Sequence, residues 1–167
     1  MRSNYQSIIN MAQSPHPNTL FHLVPLNDLS RQALHHPDNR RFVSPILVGL
    51  LGIEVGFHVA SVPGPDIAKL GRDSDLVLPG HNVSKVHVAF ELHSKTHLVL
   101  LSVRTTRVSP VITKTCDGKD RQGNRVLSYG IGYKIKFAGY KFSLVWRGTD
   151  PAPLRVLAIR DYQAALQ

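Results

Sequence analysis

From residue 47 onward the chain is dominated by a two-residue period. Between 130 and 146, Ile131, Tyr133, Ile135 and Phe137 alternate with Gly132, Lys134 and Lys136, and beyond Gly139 the rhythm resumes as Tyr140, Phe142, Leu144 and Trp146 against Lys141, Ser143 and Val145. Successive side chains of a strand point to opposite faces, so this pattern predicts two half-buried strands joined by a tight turn. Shorter strand-like runs cover 52–60, 68–71, 76–78, 86–93, 97–104 and 111–114, with turn-rich stretches at 62–66, 79–82, 93–96 and 116–124. Helical patterning is confined to the flanks. Asp28 can cap a short helix over 29–36 that Pro37 stops, and Asp150-Pro151 opens a stretch in which Leu154, Ala158, Tyr162 and Leu166 share a face. Many short strands with no helix-length pattern between them predict an all-β sandwich or barrel. The expected organisation is a flexible tail at 1–19, a β-domain over 20–147, and a C-terminal helix or linker to a further region at 148–167.

Composition narrows the class. At 167 residues and 43% hydrophobic content the chain can bury a sizeable core as one domain. Its lone cysteine, Cys116, cannot form an internal disulfide or a cysteine-rich zinc cluster, which points to a reducing compartment, nuclear or cytoplasmic. The longest apolar stretch, 46–53, is far below the roughly 20 residues that cross a bilayer, and no signal-peptide pattern precedes Pro15, so a soluble protein without membrane partners is expected. The formal charge is +9. It is concentrated: residues 101–147 carry ten Lys or Arg against Asp117 and Asp120. Such a segment attracts phosphate or nucleic acid, although a sheet face with alternating lysines kept for solubility has the same composition.

Motifs of catalysis are absent from the sequence. There is no G-x-x-x-x-G-K-[ST], G-x-S-x-G or H-E-x-x-H, and Gly130-Ile-Gly132 opens a strand rather than a helix. His87, His93 and His97 lack the thiols or carboxylates that would complete a metal set. A non-enzymatic protein with no cofactor and no metal is expected.

Three short runs carry more. Leu70-Gly71-Arg72-Asp73 is followed, with a serine twelve residues after the arginine, by Val83-Ser84-Lys85-Val86-His87, and then by Tyr129-Gly130 ahead of the paired strands ending at Trp146. In order and spacing these runs resemble the forkhead-associated (FHA) domain, with its Gly-Arg, Ser-(Arg/Lys)-x-His and late Leu-x-x-Gly elements, over about residues 20–147. The resemblance implies an eleven-stranded β-sandwich that binds phosphothreonine peptides through loops at one end. It also implies that His87 is architectural, bonding loop backbone to hold the serine loop. The chain departs from the family where Asn-Gly normally follows the strand at 97–104: no Asn or Gly occurs from Lys95 to Thr115, and Thr105, Thr106 and Arg107 occupy the place. This is a degenerate form of the motif, in which gripping of the peptide backbone beside the phosphothreonine is in question.

The chemistry of these residues fits a phosphate independently of the family. A phosphothreonine brings about −1.5 to −2 charges and three acceptor oxygens, so its site needs a fixed cation and several donors. Arg72 supplies a guanidinium fork directly after Gly71, which lets the backbone pass closely; Ser84 offers a hydroxyl and a loop amide; Lys85 adds charge. Thr105, Thr106 and Arg107 are further candidate phosphate or peptide contacts. The ordinary alternatives are an Arg72 bonded to Asp73 or Asp75 and a Ser84 bonded to its own backbone. The expected function is a phosphothreonine-recognition module of a signalling protein. The alternatives are an FHA-fold interaction or dimerisation domain independent of phosphorylation, and a basic nucleic-acid-binding β-domain in which Tyr129, Tyr133, Tyr140 and Phe142 interleave with Lys134, Lys136 and Lys141.

Overall fold

The computed structural model describes residues 14–147 apart from 48, 63, 94, 95, 97 and 108. The first thirteen residues and the helix expected over 148–167 lie outside the described residues. In chain order the elements are β1 (Thr19–Pro25), α1 (Asp28–His35), a 3-10 helix (Pro37–Phe42), β2 (Val43–Leu47), β3 (Leu50–Gly56), β4 (Asp66–Gly71), β5 (Leu76–Val77) and β6 (Val88–Leu92). They continue with β7 (Val99–Val103), β8 (Val111–Lys114), β9 (Asp120–Gln122), β10 (Arg125–Leu127), β11 (Tyr133–Phe137) and β12 (Tyr140–Trp146).

Two sheets result. Seven strands run in the order β2-β3-β1-β12-β11-β8-β9 and five in the order β10-β7-β6-β4-β5. All neighbours are antiparallel except β4 and β5. The fold class is the expected all-β sandwich, with twelve strands among the described residues where the resemblance implies eleven. The alternation read at 130–146 becomes a hairpin: Tyr133, Ile135 and Phe137 are buried and pair with Leu144, Phe142 and Tyr140, while Lys134 and Lys136 face solvent. Its two-residue turn places both Ala138 (φ 50°) and Gly139 (φ 84°) in the left-handed region, the backbone that matches strand twist in tight hairpins. Between the sheets, Phe21 of β1 meets Phe90 of β6 edge-on at 5.0 Å, and Leu23, Ile53, Ile67, Leu70 and Leu101 complete a core sealed from solvent.

Several expectations are corrected. The helix runs over Asp28–His35, and its cap is Asn27, whose side chain accepts from the Ser30 amide at 2.9 Å; Asp28 is the first helical residue and pairs with Arg31 instead. Pro37 does not end helical structure but opens the 3-10 turn, because a ring with fixed φ and no N–H suits a first position. These helices sit between β1 and β2 rather than on a flank. Four strands went unread: β1 and β2, whose residues lack alternation, and β9 and β10, three residues each, β9 lying inside the stretch expected to be turn.

Candidate functional site

Gly71 ends β4 where it runs beside both β6 and the segment that precedes it. A Cβ on Gly71 would stand 2.2 Å from the Lys85 carbonyl oxygen and 2.7 Å from that of Ser84, so no other residue permits this approach. The closeness is what laces the two motif runs together. The His87 amide donates to the Leu70 carbonyl at 2.8 Å, the Arg72 amide to Ser84 at 3.0 Å and the Asp73 amide to Lys85 at 3.1 Å, and the Ser74 hydroxyl reaches the same Lys85 carbonyl at 2.6 Å. Backbone alone therefore sets Ser84 against Arg72, independently of any ligand.

His87 braces the turn from below. It is 1% exposed, and its Nδ1 accepts the Ser84 amide at 3.1 Å while its ring lies over Phe137 at 5.3 Å. Burial first, and the charge of Arg107 second, hold its pKa below the ordinary histidine value, which keeps Nδ1 available as an acceptor. The proton then sits on Nε2, which is buried and without a partner among the described residues.

The loop after β7 joins from the other side. The Arg104 amide donates to the His87 carbonyl at 3.0 Å, and the Thr105 and Ser84 hydroxyls lie 2.7 Å apart. Thr105 Oγ1 also accepts the Arg107 amide at 3.0 Å, and either hydroxyl can donate within the Thr105–Ser84 pair; when Thr105 donates, the Ser84 hydrogen is left to point outward. Arg107 reaches back through Nη1 to the His81 carbonyl, tying the 79–83 segment to the same cluster. Thr106 is exposed and makes no hydrogen bond among the described residues.

Charge is distributed unevenly over these groups. Arg104 is neutralised by Asp66 at 2.5 Å and Glu91 at 2.6 Å, and Asp75 is taken by Ser61 and the Lys69 amide. Arg72 and Lys85 are exposed, and among the described residues neither has an ion-pair partner. Asp73 and Asp75, the carboxylates nearest Arg72 in sequence, therefore do not hold its guanidinium.

Two features escaped the sequence. Asn124, in the connection from β9 to β10, accepts the Val103 amide at 2.7 Å and so finishes β7 where the Thr105 loop leaves it. Arg72 also lines a cavity of about 340 Å³ with His36, Val77, Pro79, Gly80 and His81. A Gly-Asn pair is a recognisable turn signal, but only the fold tells which strand it finishes.

The runs at 71–73 and 84–87 and the loop at 104–107 therefore meet at one end of a two-sheet β-sandwich. No family model matches the chain, and no curated protein matches it. Among solved structures it is similar to one described as Mycobacterium tuberculosis EmbR in complex with low affinity phosphopeptide, with a TM-score of 0.45 and 12% identity. The similarity covers 89% of this chain, which spans only 30% of the length of that one. Likeness at that level carries nothing about the chemistry of the loops.

Proposed function

We propose that this chain is a phosphothreonine-recognition module, a non-catalytic interaction domain of a signalling protein, with Arg72, Ser84 and Lys85 as its phosphate contacts. The observation that supports this reading is the pairing of an exposed Arg72 free of carboxylates with a serine loop hydrogen-bonded to its own turn. The serine loop is ordered in advance, so an incoming phosphate has only to order the Arg72 and Lys85 side chains against the Ser84 hydroxyl, and the three together form its cradle. Gly71 and His87 support the cradle. In the place of the family's Asn-Gly stand Thr105, Thr106 and Arg107, of which Thr105 shares a hydrogen bond with the Ser84 hydroxyl and the other two border the ligand. Recognition is accordingly dominated by the phosphate, with weak selectivity for the peptide backbone around it.

The test is calorimetry against a degenerate phosphothreonine peptide library and its unphosphorylated twin. A charge-assisted hydrogen bond is worth about 1.5–3 kcal/mol, so Arg72→Ala should weaken phosphopeptide binding roughly tenfold to over a hundredfold with little change in thermal stability. Equal affinity for both libraries would replace this reading with a phosphorylation-independent interaction domain, the alternative that the missing Asn-Gly favours.

A further inference from the structure

The cavity beside Arg72 has walls of unusual composition. It is lined by Val77, Pro79 and Gly80 together with Arg72, His36 and His81, three residues whose side chains can donate to an anion, and by no carboxylate residue among the described residues. The walls are fixed. The Leu78 amide donates to the Gly71 carbonyl at 2.9 Å, the Tyr140 hydroxyl donates to the Pro79 carbonyl, and Arg107 holds the His81 carbonyl. His36 is fixed as well, its Nδ1 accepting the Asp38 amide at 3.2 Å with the Asp38 carboxylate 4.0 Å away, which leaves Nε2 to donate. At about 30 Å³ of liquid volume per water, a space of about 340 Å³ takes an acidic side chain together with several waters.

We propose that this cavity is a second anion subsite, which receives an acidic or phosphorylated side chain of the ligand neighbouring the phosphothreonine. The inference rests on the proposed phosphothreonine reading and extends it: Arg72 would be shared between the two anions, and His36 and His81 would donate only to the second. The charge of the walls selects the occupant. A basic side chain would meet the charge of Arg72, and a neutral apolar one would leave the three donor residues to water and gain nothing from them. His36 comes from the helical insertion between β1 and β2, so the subsite is built by an element outside the phosphate loops.

The experiment is a peptide series with one fixed phosphothreonine in which each flanking position is alanine, glutamate or phosphoserine in turn. It is titrated against the unaltered chain, His36→Asn, His81→Ala and the double variant. His36→Asn keeps an acceptor near the Nδ1 position for the Asp38 amide and removes the Nε2 donor; His81→Ala spares the backbone carbonyl that Arg107 holds. At one flanking position, glutamate or phosphoserine should raise affinity roughly tenfold over alanine. Separate responses to the two residues tell whether a carboxylate suffices or a phosphoryl group is needed. The double variant should cut that gain to under about twofold and leave the alanine peptide within about twofold of its original affinity. Phosphate-dependent binding with no acidic gain at any position overturns the subsite alone. Variants that weaken the alanine peptide as much as the acidic one also overturn it, because the cavity would then hold the phosphothreonine itself. Absence of phosphate-dependent binding overturns the underlying reading and the subsite with it.

Discussion

His22 and Glu54 face each other across the β1–β3 pair, and each is only 3% exposed. Glu54 accepts from the Thr19 hydroxyl at 3.0 Å, from His58 Nε2 at 2.9 Å and from the His16 amide at 3.3 Å, while His22 Nε2 lies 2.8 Å from the Ser44 hydroxyl. Burial would push the Glu54 carboxyl up, but the hydrogen bonds from His58, Ser44, His16 and Thr19 hold it below the ordinary value. Burial pushes His22 down to about 4, with Glu54 opposing and Arg147 and His58 adding to the shift. A histidine neutral when folded and protonated when unfolded stabilises the fold fully above pH 6.5 and progressively less as pH falls to about 4. Below the Glu54 reference value of 4.5 the carboxylate's contribution is lost in the same direction. At about 1.4 kcal/mol per pKa unit, the His22 shift amounts to about 3 kcal/mol. Urea midpoints should fall between pH 7 and pH 4, and His22→Gln should flatten much of that decline; an unchanged profile would show that His22 is not the titrating group. None of this was legible in the sequence, where His22 sits in an apolar run and Glu54 in a strand, thirty-two residues apart.

Among the elements, β5 has two residues and one strand neighbour, too little to be stable by itself, yet it launches the segment that carries Ser84. Asn39 of the 3-10 helix completes it. Fully buried, its amide nitrogen donates to the Val77 carbonyl at 2.8 Å and to the Ala33 carbonyl at 2.9 Å, and its oxygen accepts the Val77 amide at 2.8 Å. The side chain thus acts as the missing neighbouring strand and joins α1, the 3-10 helix and the five-stranded sheet. Asn39→Ala leaves the buried Ala33 carbonyl and the part-buried Val77 amide and carbonyl unpaired, at up to about 1–3 kcal/mol each, so a loss of roughly 2–4 kcal/mol in chemical denaturation is expected. Hydrogen exchange should show the Val77 and Leu78 amides opening first. A loss under about 0.5 kcal/mol, as for a surface change, would count against this role. In the sequence, Pro37-Asp38-Asn39 reads only as a helix stop, because the partner that gives Asn39 its meaning lies 38 residues away.

Across the whole molecule, the basic segment 101–147 is divided by the fold. Arg104 is spent on Asp66 and Glu91, Arg107 is tied to the His81 carbonyl, and Arg125 lies over the Tyr133 ring at 5.3 Å. Lys134 and Lys136 instead face solvent on the long sheet, where Lys136 pairs in register with Lys141. Tyr133, Tyr140 and Phe142, which could have interleaved with these cations as stacking platforms, are buried in the core. Of the four rings only Tyr129 is half-buried rather than buried, and it is held edge-on against Trp146 at 5.3 Å, so oligonucleotide binding should be weak and vanish near 150 mM salt, with a shallow slope of log affinity against log salt. Replacing Lys134, Lys136 and Lys141 by glutamine should reduce that slope and leave phosphopeptide affinity unchanged. Tight oligonucleotide binding at that salt, retained by Arg72→Ala, would support nucleic-acid recognition instead.

Local rules were enough for the all-β class and for the β11–β12 hairpin, whereas the candidate residues at 71–72, 84–87 and 105–107 were singled out by the resemblance in motif order and spacing. Alternation, turn chemistry and residue type act over a few positions, and those are what a sequence displays directly. Strand β1 was hidden because it is central and buried on both faces, so six of its seven residues are buried without a period. Strand β9 was hidden for the opposite reason, being exposed throughout at a sheet edge. The pairing of sheets, the neutralisation of Arg104 by Asp66 and Glu91, the turning of Thr105 toward Ser84 and the arrival of His36 beside Arg72 were decided by tertiary structure alone. Each depends on groups from separate strands or loops meeting within a hydrogen bond's reach, and that distance is set by packing rather than by position along the chain.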